Sequence, residues 1–364
     1  MKFRSEQGQL AEALGALARI ATSRSSSNPA LAGVRMSLHD DTLIMSSTDI
    51  DIFLQFTLPV AGDRNGDALI GASLINDIVR AMPGGKVTID AGSDSASVVG
   101  ERAQFTVPML NVVDFPKTNI AAANPVAISA SELSRALSQV VGSASRDNAK
   151  QNLTAVQFSS SQSGLQLAAT DSYRMAIKDM PGTNLLTFGQ QYLIPRRALV
   201  EIQRLLDDSD TISIRFGEID ITFETPRMQM TTRLINAQFP NVVNFIKPTY
   251  AYKFVAPREP LIEALRRSRV LARENTPVKL TMSSQGMRIL VQTNDSGTST
   301  EDVDGTMTGG EITAGFNPDY FREGVEAAFG DEVSIEMNDP AQPAVLRGVG
   351  DESFTYLLMP QRVH

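Results

Sequence analysis

The sequence predicts an α+β fold in which one domain-sized unit occurs three times. A polar corner after an apolar strand recurs as Thr48-Asp49, Thr170-Asp171 and Thr293-Asn294, at intervals of 122 and 123 residues (48 to 170 to 293). Three other landmarks keep nearly the same intervals: the leucines of a first helix (Leu10, Leu133, Leu261), the entries to a second helix (Ile70, Ile194, Phe316) and two Phe-Pro closers (Phe115, Phe239). Four landmarks with one domain-sized period indicate three copies of one domain.

The first copy contains two runs with helical spacing among shorter alternating runs. Leu10, Leu14 and Leu17 lie at i, i+4 and i+7, on one face of a first helix. A second helix over residues 73–81 ends at a Pro-Gly-Gly stop signal. The alternating runs predict strands over residues 1–4, 33–38, 42–47, 51–60, 87–91, 95–100 and 103–109.

The second and third copies repeat this order. Ser131 is the predicted N-cap of a helix with Leu133 and Leu137 on one face, and the next helix begins within residues 192–199, with Pro195 near its first turn. In each copy the two helices would cover one face of antiparallel sheets. Seams near residues 118–125 and 245–251 predict domains over 1–120, 121–246 and 247–364.

The composition excludes several classes of protein. The chain has 364 residues and no cysteine, which excludes disulfides and cysteine-based metal sites. It shows no signal peptide and no apolar run near the roughly 20 residues of a membrane helix, so we expect a cytoplasmic protein that is not bound to a membrane. The net charge of −8 argues, for the chain as a whole, against non-specific binding to nucleic acid.

The sequence offers no catalytic constellation. Asp49 and Asp171 recur at the corners, but the third copy has Asn294, so these side chains are more simply turn formers. His39 and His364 are the two histidines and lie far apart in the sequence. No P-loop and no Gly-x-Ser-x-Gly motif occurs. We therefore expect neither enzymatic activity nor a cofactor or metal.

Several motifs, taken in order along the chain, resemble one family. They are Thr170-Asp171-x-x-Arg174-Met175-Ala176, Phe239-Pro240, Gly315-Phe316-Asn317-x-x-Tyr320 and Tyr356-Leu357-Leu358-Met359-Pro360-x-Arg362. The whole chain resembles the bacterial DNA polymerase III beta subunit, the sliding clamp. The resemblance implies three clamp domains and a head-to-tail homodimeric ring whose hole is lined by helices. Such a ring encircles duplex DNA without sequence preference and serves as a processivity factor in DNA replication.

The resemblance also implies a peptide-binding pocket between the second and third domains. Its ligands would be the alpha subunit of the replicative polymerase, the clamp loader and other proteins with a clamp-binding motif. The walls carried over to this chain are Leu153, Thr170, Ser172, Tyr173, Arg174, Met175, Pro240, Phe245, Leu357 and Met359. A neighbouring groove would be formed by Asn317, Tyr320, Pro343, Pro360, Gln361 and Arg362. Alternatively, apolar members such as Leu153, Leu357 and Met359 belong simply to the core.

The remaining implied residues concern DNA and the dimer. Candidate cations for the lining of the hole are Arg24, Arg80, Arg146, Lys150, Arg196, Arg197 and Arg204, each of which is alternatively an ordinary surface charge. At the dimer interface Phe105 and Val107 would meet Val270 and Leu271, with Arg269, Arg273 and Glu274 at the rim. These four apolar residues could instead belong to the cores of their own domains.

The chain departs from the family pattern near the pocket. Asn244 stands where arginine is common, Met175 where leucine is usual and Gln361 where methionine is common. An alternative is therefore a specialised clamp paralogue with an altered pocket, for example one that confers tolerance to a clamp-binding inhibitor. A further alternative is a ring-shaped scaffold that never meets DNA.

Overall fold

A computed structural model describes residues 1–21, 28–117, 120–206, 211–241, 243–272, 276–293 and 297–363. Arg24, Arg273, Glu274, Asn294 and His364 lie outside the described residues. The chain forms two compact units: unit 1 comprises residues 1–131 and 201–234, and unit 2 comprises residues 132–200 and 235–364. The domain boundaries at 120/121 and 246/247 stay a prediction.

The described residues contain six α-helices, two for each copy of the repeat. They are α1 (Gln7–Ile20), α2 (Ala72–Ala81), α3 (Ala130–Val140), α4 (Arg196–Leu205), α5 (Arg258–Arg269) and α6 (Pro318–Ala327). Leu10, Leu14 and Leu17 are buried on one face of α1, as their spacing predicts. Ser131 is not the N-cap, because α3 begins one residue earlier at Ala130.

The strands are short and follow one another closely. Residues 1–131 contain β1 (Lys2–Glu6), β2 (Gly33–His39), β3 (Thr42–Thr48), β4 (Ile52–Pro59), β5 (Ala61–Arg64), β6 (Gly66–Gly71), β7 (Lys86–Ala91), β8 (Ser95–Val99), β9 (Gln104–Pro108) and β10 (Val126–Ser129). Residues 132–234 contain β11 (Ala155–Ser160), β12 (Gly164–Thr170), β13 (Arg174–Pro181), β14 (Gln191–Pro195), β15 (Thr211–Phe216), β16 (Asp220–Glu224) and β17 (Met228–Arg233). The rest contains β18 (Tyr252–Pro257), β19 (Val278–Ser283), β20 (Gly286–Thr293), β21 (Gly297–Val303), β22 (Thr306–Thr308), β23 (Ile312–Phe316), β24 (Glu332–Met337), β25 (Ala344–Gly348) and β26 (Phe354–Leu358).

Unit 1 holds two antiparallel sheets. One has the order β5-β1-β7-β8-β9, and the other has the order β10-β15-β16-β17-β4-β3-β2-β6. In β7 the apolar Val87, Ile89 and Ala91 are buried and alternate with more exposed residues, which is the pattern of a sheet with one covered face. Helix α1 packs against the larger sheet, where Ser47 donates a hydrogen bond to the carbonyl oxygen of Leu17 at 2.9 Å.

Unit 2 repeats this architecture with a nine-stranded sheet, β14-β11-β12-β13-β26-β25-β24-β18-β22, and a four-stranded sheet, β21-β20-β19-β23. All described strand pairs are antiparallel, and the α+β prediction is confirmed. The strands β13 and β26 pair in the register Arg174↔Leu358 and Met175↔Leu357. This pairing joins the second corner to the C-terminal strand.

Candidate peptide-binding site

The second corner is a tight polar turn between β12 and β13. The Thr170 hydroxyl donates to the carbonyl oxygen of Arg174 at 2.7 Å and accepts from the Ser172 amide. The Asp171 carboxylate accepts from the amides of Tyr173 and Arg174 at 2.9 and 3.0 Å. Ser172 has φ of 82°, in the left-handed region. These side-chain bonds replace the backbone pairing that ends here.

The first corner has the same hydrogen bonds, which explains why the motif recurs. Thr48 donates to the carbonyl oxygen of Ile52 at 2.8 Å, and Asp49 accepts from the Ile52 amide at 2.8 Å. Ile50 has φ of 84°. At the third corner Thr293 donates to the carbonyl oxygen of Gly297, again four residues on. Asp49 and Asp171 therefore act as turn formers.

Arg174 distinguishes the second corner from the first. Its guanidinium donates to Asp171 at 3.0 Å, to Glu323 of α6 at 2.5 Å and to the carbonyl oxygen of Gly142 at 2.8 Å. It also lies 4.2 Å from the ring centroid of Tyr320. The side chain is buried in unit 2, so the charge is held by two carboxylates and an aromatic face rather than by water.

The surroundings of Arg174 keep it charged. Burial alone would lower the pKa of Arg174, but the neighbouring Tyr356 and Glu323 outweigh it and raise the pKa. Burial raises the pKa of Tyr356, whose neutral hydroxyl donates to the carbonyl oxygen of Tyr320 at 2.8 Å. Burial likewise raises the pKa of Tyr320, with a further contribution from Asp171. The base of the site is thus one connected polar network.

An apolar cluster lies beside this network. Met175 and Leu357 are buried together with Ala168, Ile177 and Val345. Phe239, Ile246 and Tyr250 are partly buried and pack against the cluster. Thr170 and Leu153 are buried as well. Five of the predicted wall residues (Leu153, Thr170, Arg174, Met175, Leu357) are therefore buried and do not belong to the open surface of the site.

The other predicted wall residues provide exposed surface. Tyr173, Phe245 and Met359 are exposed large apolar side chains, and Ser172 and Pro240 are exposed too. The Met359 amide donates to the carbonyl oxygen of Tyr173 at 2.9 Å, which joins the C-terminal segment to the corner. The ammonium of Lys150 lies 5.6 Å from the Tyr173 ring centroid. Exposed aromatic and thioether side chains above a polar base suit the side chains of a peptide.

The predicted neighbouring groove follows the start of α6 and the C-terminal segment. Asn317 is the N-cap of α6 and accepts from the amides of Asp319 and Tyr320, both at 3.0 Å. The Gln361 amide donates to the carbonyl oxygen of Gly315 at 2.8 Å. Tyr320, Pro343, Pro360 and Gln361 are half-buried, and Arg362 is exposed. Asn317 therefore has a structural task in the helix.

The sequence did not reveal two contributors to the site. Glu323 lies 149 residues from Arg174 along the chain, and no local motif marks such a pair. Val345 completes the apolar cluster from β25. For Glu323 a usable signal exists, because Asp77, Glu201 and Glu323 recur at intervals of 124 and 122 residues in the second helix of each copy.

The predicted DNA-lining cations fall on or after the helices. Arg80 and Arg204 lie in unit 1 and are exposed, and Arg204 pairs with Glu201. In unit 2, Arg146, Lys150 and Arg197 are exposed, whereas Arg196 is half-buried and donates to the carbonyl oxygen of Val141 at 3.3 Å.

The predicted dimer residues differ in exposure. Phe105 on β9 is exposed, and β9 is an edge strand of its sheet in unit 1. Val107 on the same strand is buried, as the alternative of a core residue anticipates. In unit 2, Val270 is exposed, Leu271 is half-buried and Arg269 pairs with Asp319 at 2.8 Å.

No group of three histidine, aspartate or glutamate side chains in the described ranges has the geometry of a metal site. No helix in this part of the chain combines the length and apolar character of a membrane span. Fold and site together define a binding protein built from repeated α+β domains, with an aromatic and thioether surface suited to peptide side chains.

Family models show which family the chain belongs to. The N-terminal, central and C-terminal domain models of the DNA polymerase III beta subunit match residues 1–120, 127–241 and 248–362. The chain belongs to this family, the sliding clamps. Membership confirms the predictions of three clamp domains and of a DNA sliding clamp that is not an enzyme. The comparisons do not favour the alternative of a specialised paralogue.

Relatives and solved structures align with this chain over its full length. The beta sliding clamps of Streptomyces coelicolor and Synechocystis sp. are 28% and 27% identical over 381 and 392 aligned residues, with 100% of each chain covered. The sliding clamp of Bartonella birtlesii, solved with bound griselimycin, is 25% identical with a TM-score of 0.92 and full coverage of both chains.

Proposed function

We propose that two copies of this chain close head to tail into a ring around duplex DNA, and that each chain tethers the replicative polymerase through the site at the second corner. The ligands of the site are short peptide motifs of the polymerase alpha subunit, the clamp loader and other clamp-binding proteins. The protein acts in the cytoplasm, and its domains span residues 1–120, 121–246 and 247–364.

The observation that carries the peptide site is the arrangement around Arg174. A buried network fixes the corner, and Tyr173 and Met359 are exposed near the buried Met175 and Leu357 in the chain. Phe245 is exposed next in sequence to Ile246, which packs against the same apolar cluster. A rigid base with exposed aromatic anchors limits the entropy lost on binding. The Bartonella relative was solved with bound griselimycin, which supports the idea that this fold can hold a ligand.

The ring itself is supported by edge strands and by charge. Strand β9 in unit 1 and strand β21 in unit 2 each end a sheet, and an exposed edge invites a further strand. In a head-to-tail dimer β9 of one protomer would meet the third domain of its partner. The exposed cations Arg80, Arg146, Lys150, Arg197 and Arg204, with Arg196, then face the DNA backbone.

A matched pair of phenylalanine variants tests the peptide site. Phe245 and Phe188 are both exposed in unit 2, at 57% and 82%. Phe245→Ala removes a proposed anchor, so we expect at least a tenfold loss of affinity for a fluorescent clamp-binding peptide, the size of about 1.4 kcal/mol. Phe188→Ala should leave affinity unchanged. Equal affinities of both variants and the wild type in fluorescence anisotropy would refute the site.

A further inference from the structure

Glu201 in α4 holds two arginines. Its side chain is 9% exposed, and its carboxylate accepts from Nε of Arg19 in α1 at 2.8 Å and from a terminal nitrogen of Arg204 at 2.6 Å. Arg19 also donates to the carbonyl oxygen of Gly15, one turn earlier. Both arginine side chains are about half exposed, at 41% and 55%. One nearly buried carboxylate thus fixes two cations at the surface of unit 1.

The net charge and the N–H donors of the Arg19, Glu201 and Arg204 side chains suit an anionic ligand. Two guanidinium groups and one carboxylate leave one net positive charge. Each guanidinium has five N–H donors, and Arg19 and Arg204 spend only two and one of them in the bonds described above. Guanidinium groups bind phosphate oxygens in a bidentate manner, and a pre-oriented group loses less entropy on binding.

The internal repeat shows that this arrangement is specific to one copy. Glu323, which corresponds to Glu201, accepts from Arg174 at the second corner. The residue that corresponds to Arg174 at the first corner is Ile52, four residues after the corner threonine. An isoleucine offers no cation, and Glu201 pairs with Arg19 of α1 instead. The same helix position therefore serves the peptide site in unit 2 and holds helix-borne cations in unit 1.

We propose that Arg19 and Arg204 bind one phosphate group of the DNA backbone, and that Glu201 is the positioning residue for both. This inference rests on the proposed function, because it takes α1 and α4 to face the DNA. Arg19 is not among the cations that the resemblance implies. The carboxylate reduces the local charge from two to one, so the contact is weak and exchangeable, which suits a protein that must move along DNA.

The Glu201→Gln substitution distinguishes a positioning role of Glu201 from a purely electrostatic role. The substitution raises the local net charge, so a purely electrostatic role predicts tighter DNA binding. A positioning role predicts the reverse, because the neutral amide no longer fixes two guanidinium groups. The measurement is the affinity for a fluorescent duplex at several salt concentrations. We expect weaker binding and a shallower salt dependence for Glu201→Gln.

Two arginine variants complete the test. Arg19→Gln should reduce the slope of log K against log salt by about 0.9, the value for one phosphate contact. Arg4→Gln is the control, since Arg4 is a half-exposed arginine of unit 1 paired with Asp63 at 3.7 Å, and its slope should equal that of the wild type. If thermal unfolding shows that the Glu201→Gln variant is not folded, the salt slope of Arg19→Gln alone tests the inference.

Two failures can be told apart. A wild-type slope for Arg19→Gln, or tighter binding by Glu201→Gln, overturns this inference while leaving the clamp function intact. A wild-type protein that is not retained on nicked circular DNA overturns the proposed function itself.

Discussion

Arg174 gives the second corner a contact that the equivalent turn in the first copy lacks. The turn itself is made by Thr170 and Asp171 and needs no arginine, since the first copy forms it with Ile52 in the same place. In the second copy the arginine connects the corner to α6 through Glu323. The turn could be predicted from the sequence. The repeat marks Glu323 as one of three recurring acidic residues, but it does not show that Glu323 pairs with Arg174, because this pairing depends on packing between distant segments.

Arg174→Ala should destabilise unit 2. It leaves Glu323 and Asp171 without their cation, and loss of one partner from a buried pair costs about 3 kcal/mol, at the low end of the usual range because Glu323 is one-third exposed. Urea unfolding measures the change. Arg288→Ala is the control, because Arg288 and Asp302 form an exposed pair whose loss should change the free energy of unfolding little. Equal effects of both substitutions would contradict the role of the network.

Asp351 predicts a pH dependence of stability. Burial would raise the pKa of its carboxyl, but hydrogen bonds from Ser353 and the charge of Lys178 outweigh it, so the pKa lies below the ordinary 3.8. A lowered folded pKa stabilises the protein above the unfolded value, and this contribution is lost as the pH falls through the folded value. Asp351→Asn should therefore destabilise at about pH 7 and much less at about pH 3. Urea unfolding at both pH values checks this, and an equal loss at both would count against the prediction.

At the scale of elements, the hydrophobic period located the helices better than it located their ends. The apolar face of α1 is where Leu10, Leu14 and Leu17 predict it. In contrast, α4 begins at Arg196, because residues 191–195 form strand β14. Residues 192–199 contain the end of strand β14 and the start of helix α4. The pairing of β14 with β11 extends to Pro195 and so sets where the helix can begin. Long-range pairing of this kind has no signature in the local sequence.

Substitution by alanine should have opposite effects on stability at two glycines that lie in helices. In α6 a Cβ on Gly324 would lie 2.5 Å from the buried ring of Tyr356. In α1 a Cβ on Gly15 would find its nearest neighbour at 3.6 Å. Gly15→Ala should stabilise by about 0.5–1 kcal/mol through helix propensity, whereas Gly324→Ala should destabilise by about 1–3 kcal/mol through overpacking. Thermal unfolding compares the two, and stabilisation by both would contradict the packing of α6 on Tyr356.

At the scale of the whole molecule, the repeat period predicted three domains, and the family models bear this out. Composition could not predict the function, since a net charge of −8 argues against a DNA-binding protein. The resemblance supplied the missing geometry: a ring can hold DNA topologically, with few contacts to phosphate. Among the proposed dimer residues the sequence alone cannot distinguish surface from core, as the exposed Phe105 and the buried Val107 on one strand illustrate.

A matched pair of valines tests the dimer. Val270 and Val113 are 83% and 88% exposed, and only Val270 is a proposed interface residue. Val270→Glu would bury an unpaired charge at the interface, so we expect monomers in sedimentation at a concentration where the wild type is dimeric. Val113→Glu should remain dimeric. A dimeric Val270→Glu would remove this residue from the interface.

Topological retention tests encirclement most directly. A labelled clamp is loaded onto nicked circular DNA and passed through a gel-filtration column before and after the circle is cut once. A closed ring should co-elute with the intact circle and run off the linear molecule, because no strong contact holds it in place. Equal retention on both molecules, or equal loss from both, would show that the protein does not encircle DNA.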